Sequence, residues 1–122
     1  MAMRDGTADR RAELYREAIG LIHREYASDL NLEGVARRLA TSRRQLQRAF
    51  AEAGDTSFRD ELARVRMGHA RALLAADQLP VRQVASSVGY QQPAQFAKSF
   101  RRYHGQPPSG YRREARAGAA AG

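Results

Sequence analysis

Apolar residues return at intervals of three and four along nearly the whole chain, and no run alternates apolar with polar as a half-buried strand would. The pattern predicts an all-α protein of about seven helices. Leu14, Ala18, Ile22 and Tyr26, with Ile19 beside them, make the inner stripe of a first helix over residues 8–27. "SDLN" ends it. Asn31 suits the N-cap of a second helix, "LEGVARRLA", whose Glu33 lies at the positive helix end. Ser42 and Gln45 form a capping box for a third helix, expected to run to Ala53 and stop at Gly54. A fourth helix starts at Ser57 and ends near Ala76, with Phe58, Leu62, Val65, Ala70, Leu73 and Leu74 inward. Pro80 and Pro93 suit the first turns of the fifth and sixth helices, the sixth ending near Gly105. "QPPSGYRR" leads into a short seventh helix or tail.

The pattern also repeats. Leu32, Val35, Ala36 and Leu39 match Val81, Val84, Ala85 and Val88 at an offset of 49. Leu46, Ala49, Phe50 and Ala53 match Phe96, Ser99, Phe100 and Tyr103 at an offset of 50, the slipped residue lying in the joint. Both copies read helix, tight turn, helix. A helix-turn-helix crosses its two helices steeply, so the first needs a small residue where the backbones approach, and the turn needs glycine or a small residue. Ala36 and Ala85 meet the first need, Ala40 and Gly89 the second. With Leu46 as reference, Ala49, Phe50 and Ala53 fall within about 60° of it at 100° per residue, so the second helix of the unit packs that stripe inward. The fold expected is therefore two helix-turn-helix subdomains, residues 8–55 and 78–113, joined by a linker helix over 56–77. Residues 1–7 are expected to be a disordered N-terminus and 114–122 a flexible tail.

Composition narrows the partner. The chain has 122 residues, 43% hydrophobic and 28% charged, enough for one modest globular domain. Lys and Arg number 21 against 13 acidic residues, a net charge of +8 that favours a polyanion: DNA, RNA or an anionic membrane surface. There is no cysteine, which removes disulfides, thiolate metal sites and cysteine nucleophiles and fits a reducing cytosol. No run approaches the roughly 18 apolar residues of a membrane span, and "MAMRDGTADRR" has no apolar core of a signal peptide.

The outward faces carry candidate chemistry. On the third helix, Arg44, Gln47, Arg48 and Ala51 point away from the stripe, with Arg43 at the flank. Arginine pairs bidentately with guanine and glutamine with adenine in the major groove. Arg44, Gln47 and Arg48 are thus the expected base readers, and Ser42 and Arg43 phosphate partners. On the sixth helix the matching face is Ala94, Ala97, Lys98 and Arg101, with Gln92 and Gln95 flanking its start. This face has fewer forked donors, so the second unit is expected to add affinity more than specificity. Arg101, Arg102, Arg112 and Arg113 are expected on phosphates. The linker, about 30 Å long at 1.5 Å per residue, compares with the roughly 34 Å between successive major grooves on one DNA face.

"LNLEGVARRLATSRRQLQRAF", "RMGHARALL", "VRQVASSVGYQQPAQFAKSFRRYHG" and "GQPPSGYRR" resemble the DNA-binding domain of the AraC/XylS family of bacterial transcription regulators, over about residues 10–113. Gly105, Pro108, Ser109, Tyr111 and Arg112 fit the family's closing Gly-x-x-Pro-Ser-x-Tyr-Arg. The resemblance implies two helix-turn-helix units, each with its second helix in the major groove, and promoter binding beside RNA polymerase, usually with activation. By position it puts base contacts on Arg44, Gln47 and Arg48, and on Pro93, Ala94 and Lys98. Pro93 and Ala94 stand where the family has polar residues, and Tyr90 where phenylalanine is more frequent. In size the chain is like the stand-alone MarA/SoxS type, which binds DNA as a monomer. The alternative is the excised DNA-binding domain of a longer ligand-responsive regulator.

Other constellations carry less. His23, His69 and His104 lack partners at helical spacing, so no zinc site is expected. His104 falls at a helix end, where a partial positive charge suits the dipole. No glycine-rich phosphate loop precedes a helix. Glu52, Asp55, Asp60 and Glu61 cluster near the start of the fourth helix and are expected to stabilise it. No catalytic residue, metal or cofactor is assigned. The function expected is sequence-specific binding of double-stranded DNA in transcription, in the cytoplasm at the nucleoid. An RNA-binding helical protein is the weaker alternative, since that role wants exposed aromatics, whereas Phe50, Phe58, Phe96, Phe100 and Tyr103 are expected inward.

Overall fold

The computed structural model describes residues 2–76 and 78–121. Met1, Asp77 and Gly122, in the expected N-terminal segment, linker and tail, lie outside the described residues. Among the described residues there are seven helices and no strand: α1 (Ala2–Glu25), α2 (Leu32–Arg38), α3 (Arg43–Gly54), α4 (Phe58–Ala76), α5 (Val81–Ser87), α6 (Pro93–His104) and α7 (Pro108–Ala121). The chain divides into two compact units, residues 1–62 and 63–122. The division falls inside α4, so α4 serves each unit in turn. Its buried Phe58 and Leu62 belong to the first, and Val65, Met67, Ala70 and Leu74 to the second.

In the first unit α3 packs on α1. Leu14, Ala18, Leu21 and Ile22 of α1 and Leu46, Ala49 and Phe50 of α3 are buried. The Phe50 ring meets Tyr15 edge-on at 5.3 Å and Phe58 edge-on at 5.9 Å, the geometry aromatic quadrupoles favour. Asn31 caps α2 by accepting from the Gly34 N–H at 2.8 Å. Ser42 caps α3 by accepting from the Gln45 N–H at 3.1 Å. Each cap satisfies a donor that the helix itself leaves unpaired.

The second unit repeats the motif down to its turn hydrogen bonds. Ala40 donates to the Arg37 carbonyl at 3.1 Å and Thr41 to Ala36 at 2.9 Å; Gly89 donates to Ser86 at 3.1 Å and Tyr90 to Ala85 at 2.9 Å. Both turns pass through positive φ, 54° at Ala40 and 99° at Gly89. The small residues of the pattern thus sit where the backbone reverses and where helices approach. The core here is aromatic. Phe96 and Phe100 are fully buried. Tyr90 lies at 5.6 Å from Phe96, while His104 and Tyr111 flank Phe100 at 4.5 and 5.5 Å. The Arg66 guanidinium lies 5.5 Å from the Tyr90 ring, close enough for cation–π attraction.

Several expected boundaries and inward residues are corrected. α1 runs Ala2–Glu25, where the periodicity predicts a helix over 8–27. No proline interrupts the leading segment. α7 runs Pro108–Ala121, longer than the short seventh helix the pattern predicts, because alanine is the strongest helix former. α5 begins at Val81, with Pro80 as its N-cap. α3 includes Gly54, and the left-handed residue that ends it is Asp55, φ 50°. Gly54 serves a different need: a Cβ there would collide with the Tyr15 ring. Leu21 and Met67 are buried, whereas Ile19, Tyr26 and Leu73 are only half-buried. Ala53 and Tyr103, the last matched pair of the repeat, are exposed, since the end of each second helix runs past the core it packs on.

Candidate nucleic-acid interface

Leu46, Ala49 and Phe50 are completely buried and fix the rotation of α3 about its axis. The opposite side must then carry residues 44, 47, 48 and 51, spaced as neighbours on one helix face. Arg44, Gln47, Arg48 and Ala51 are all exposed. Among the described residues none forms an ion pair with Arg44 or Arg48, so their guanidiniums keep their donors for another molecule. Ser42 and Arg43 are exposed at the start of the same helix. Arg43 reaches the Glu33 carboxylate at 3.4 Å, with both side chains more than half exposed, an arrangement worth little in water and readily exchanged.

Phe96 and Phe100 hold α6 in the same way. Gln92, Pro93, Ala94, Gln95 and Lys98 are exposed, and Ala97 is half-buried. Pro93 is the first residue of the helix and Gln92 its N-cap, without a side-chain capping bond. Two small apolar residues and one lysine replace the three forked or amide groups of α3, so this face offers fewer directional donors. Arg101 and Arg102 are exposed in the last turn of α6, and Arg113 is exposed on α7.

Arg112 departs from expectation. It is half-buried, and its Nε donates to the Leu74 carbonyl at 3.1 Å. Its Nη2 is buried with no partner. Near the end of α4 the last carbonyls lack helical N–H donors, and a guanidinium both donates to them and suits the negative helix end. Arg112 is thus tied through Nε to the end of α4 and braces it. His104 likewise stacks on Phe100 and approaches the Met67 carbonyl at 3.4 Å through Nε2. In the acidic group, Glu52 binds Arg11 of α1 at 2.6 Å and Glu61 is buried in the first turn of α4. Among the described residues no cluster of His, Asp or Glu is arranged to hold a metal. Among the same residues no helix is long and apolar enough to cross a membrane.

Two helix-turn-helix units that divide one long helix between them define a double helix-turn-helix domain. Residues 35–114 match a family model described as "Helix-turn-helix domain". The chain is 32% identical over 94 residues to the Msm operon regulatory protein of Streptococcus mutans, covering 77% of this chain and 34% of that protein. The C-terminal domain of AraT, a response regulator from Geobacillus stearothermophilus, superposes with a TM-score of 0.81 at 33% identity, over 83% of this chain and 84% of that one. The DNA-binding domain of AdpA, solved in complex with a target DNA, superposes with a TM-score of 0.77 at 28% identity, over 92% and 97% of the two chains. The chain belongs to the AraC-type helix-turn-helix family. It spans about a third of the length of the first curated relatives that it matches.

Proposed function

We propose that the protein is a sequence-specific double-stranded DNA-binding transcription regulator, acting as an activator, with α3 and α6 entering successive major grooves. The observation that carries this reading is the α3 face. Arg44, Gln47 and Arg48 are exposed together, without ion-pair partners among the described residues, on a helix whose other side is locked into the core. The net charge of +8 and the likeness to a domain solved on its target DNA support it. Arg44, Gln47 and Arg48 read bases. Gln92, Pro93, Ala94, Gln95 and Lys98 face the second groove and contribute mainly affinity. Ser42, Arg43, Arg101, Arg102 and Arg113 hold phosphates. The protein binds as a monomer beside RNA polymerase, at the nucleoid in the cytoplasm.

The test is selection from a pool of random duplexes, with sequencing of the bound fraction. The expected motif has two elements about one helical turn apart, with most of its information in one of them. Bound sequences indistinguishable from the input pool would overturn the reading.

A further inference from the structure

A cleft of about 470 Å³ opens in the first unit, between the N-terminal half of α1 and the turn entering α3. Its size falls in the range of small-molecule sites, about 300–1,000 Å³. Thr7, Arg10, Arg11 and Leu14 line it from α1, and Thr41 and Gln45 from the other side. The lining residues include two arginines, two threonines, a glutamine and a leucine, and no acidic residue.

The two arginines differ in availability. Arg11 is four-fifths buried and tied to Glu52 at 2.6 Å, which anchors α1 to α3. Arg10 meets Glu13 only at 3.5 Å, with both side chains at least half exposed. Such a pair exchanges readily for a better anion. One exchangeable guanidinium matches one carboxylate, which it binds bidentately. A dianionic phosphate would bring a second charge with no free cation to meet it. Leu14, Ala40 and Gly6 add the apolar residues of the lining, against which the rest of a ligand would lie.

We propose that this cleft binds a small organic monocarboxylate with an apolar body, and that its occupancy tunes DNA binding. The coupling part rests on the function proposed above. Gln45 links the two: it lines the cleft, its backbone N–H closes the α3 N-cap on Ser42 at 3.1 Å, and its neighbour is Arg44. A ligand touching Gln45 therefore touches the anchored end of the reading helix.

The probe is 3-phenylpropanoate, titrated into the whole protein without DNA and followed by amide NMR, with 3-phenylpropanamide as the uncharged comparison. Expected are saturable shifts confined to residues 7–14 and 40–46, at least tenfold weaker binding of the amide, and about tenfold weaker binding by Arg10→Ala, with Arg10→Lys in between. Arg10 is exposed, so its variants test binding and not folding. No saturation, shifts centred elsewhere, or equal binding of acid and amide would overturn the site. Duplex affinity is then measured with the cleft saturated; an unchanged value would overturn the coupling. The first arm contains no DNA, so its failure leaves the DNA-binding reading standing, and failure of duplex binding leaves the cleft standing.

Discussion

Ala40 and Gly89 make the same turn with unequal ease. At φ 54° an alanine is in the left-handed region, where its Cβ crowds the following carbonyl at a cost of about 1–2 kcal/mol. Glycine at that position removes the strain but adds freedom to the unfolded chain, which returns roughly half of the gain. Ala40→Gly is therefore expected to raise stability by about 0.5–1 kcal/mol, and Gly89→Ala, starting from φ 99°, to lower it by more than 1 kcal/mol. Urea midpoints at constant slope measure both. A second residue-scale effect is titratable. Arg38 donates to both Glu25 oxygens, at 2.7 and 2.8 Å. These bonds first, then the charges of Arg38 and Arg24, hold the Glu25 carboxyl below its ordinary value of 4.5 against some desolvation. The unfolded chain then binds the proton more readily than the folded one. The pair's contribution is present above about pH 4.5 and fades as pH falls through the lowered folded value. The stability difference between the native chain and Glu25→Gln is expected to be flat above pH 5 and to shrink below it. A difference that grew on acidification would contradict the pairing.

Among the helices, what was legible followed from local rules and what was not depended on distant partners. The caps at Asn31 and Ser42, Pro93 opening α6, and the duplicated turns are all local, and each is as expected. Alanine propensity, also local, was masked at the C-terminus by low complexity, so the full length of α7 was not legible. Gly54 looked like a helix stop because glycine so often is one, yet it is needed by Tyr15, a residue 39 positions earlier. The exposed side of α3 was legible because one buried stripe dictates the opposite face. Arg112 was not, because its acceptor, Leu74, lies 38 residues away on another helix. That difference can be measured. Arg112→Ala leaves α4 without its brace and is expected to lower stability by about 1–2 kcal/mol while leaving the salt dependence of DNA binding unchanged. Arg113→Ala, one residue on and exposed, is expected to do the reverse, reducing the salt slope by about 1. A salt slope reduced by Arg112→Ala as much as by Arg113→Ala would return Arg112 to the phosphates.

For the molecule as a whole, the division of labour between reading and holding determines how affinity responds to salt. The proposed phosphate contacts, without Arg112, comprise four arginines: Arg43, Arg101, Arg102 and Arg113. Each phosphate neutralised on duplex DNA contributes about −0.9 to the slope of log affinity against log salt, so a slope of roughly −4 is expected on random and selected duplexes alike. Base reading adds little to that slope, because hydrogen bonds to base edges release few counterions. Arg48→Ala should then lower affinity for the selected sequence by about 1–3 kcal/mol and barely change affinity for random duplex, collapsing the ratio between them. Lys98→Ala, on the donor-poor face of α6, should lower both nearly equally and keep that ratio. Titrations of the three proteins on both duplexes at several salt concentrations separate these outcomes. If Arg48→Ala weakened both duplexes equally while Lys98→Ala collapsed the ratio, sequence would be read by α6, and the assignment of specificity to α3 would be inverted.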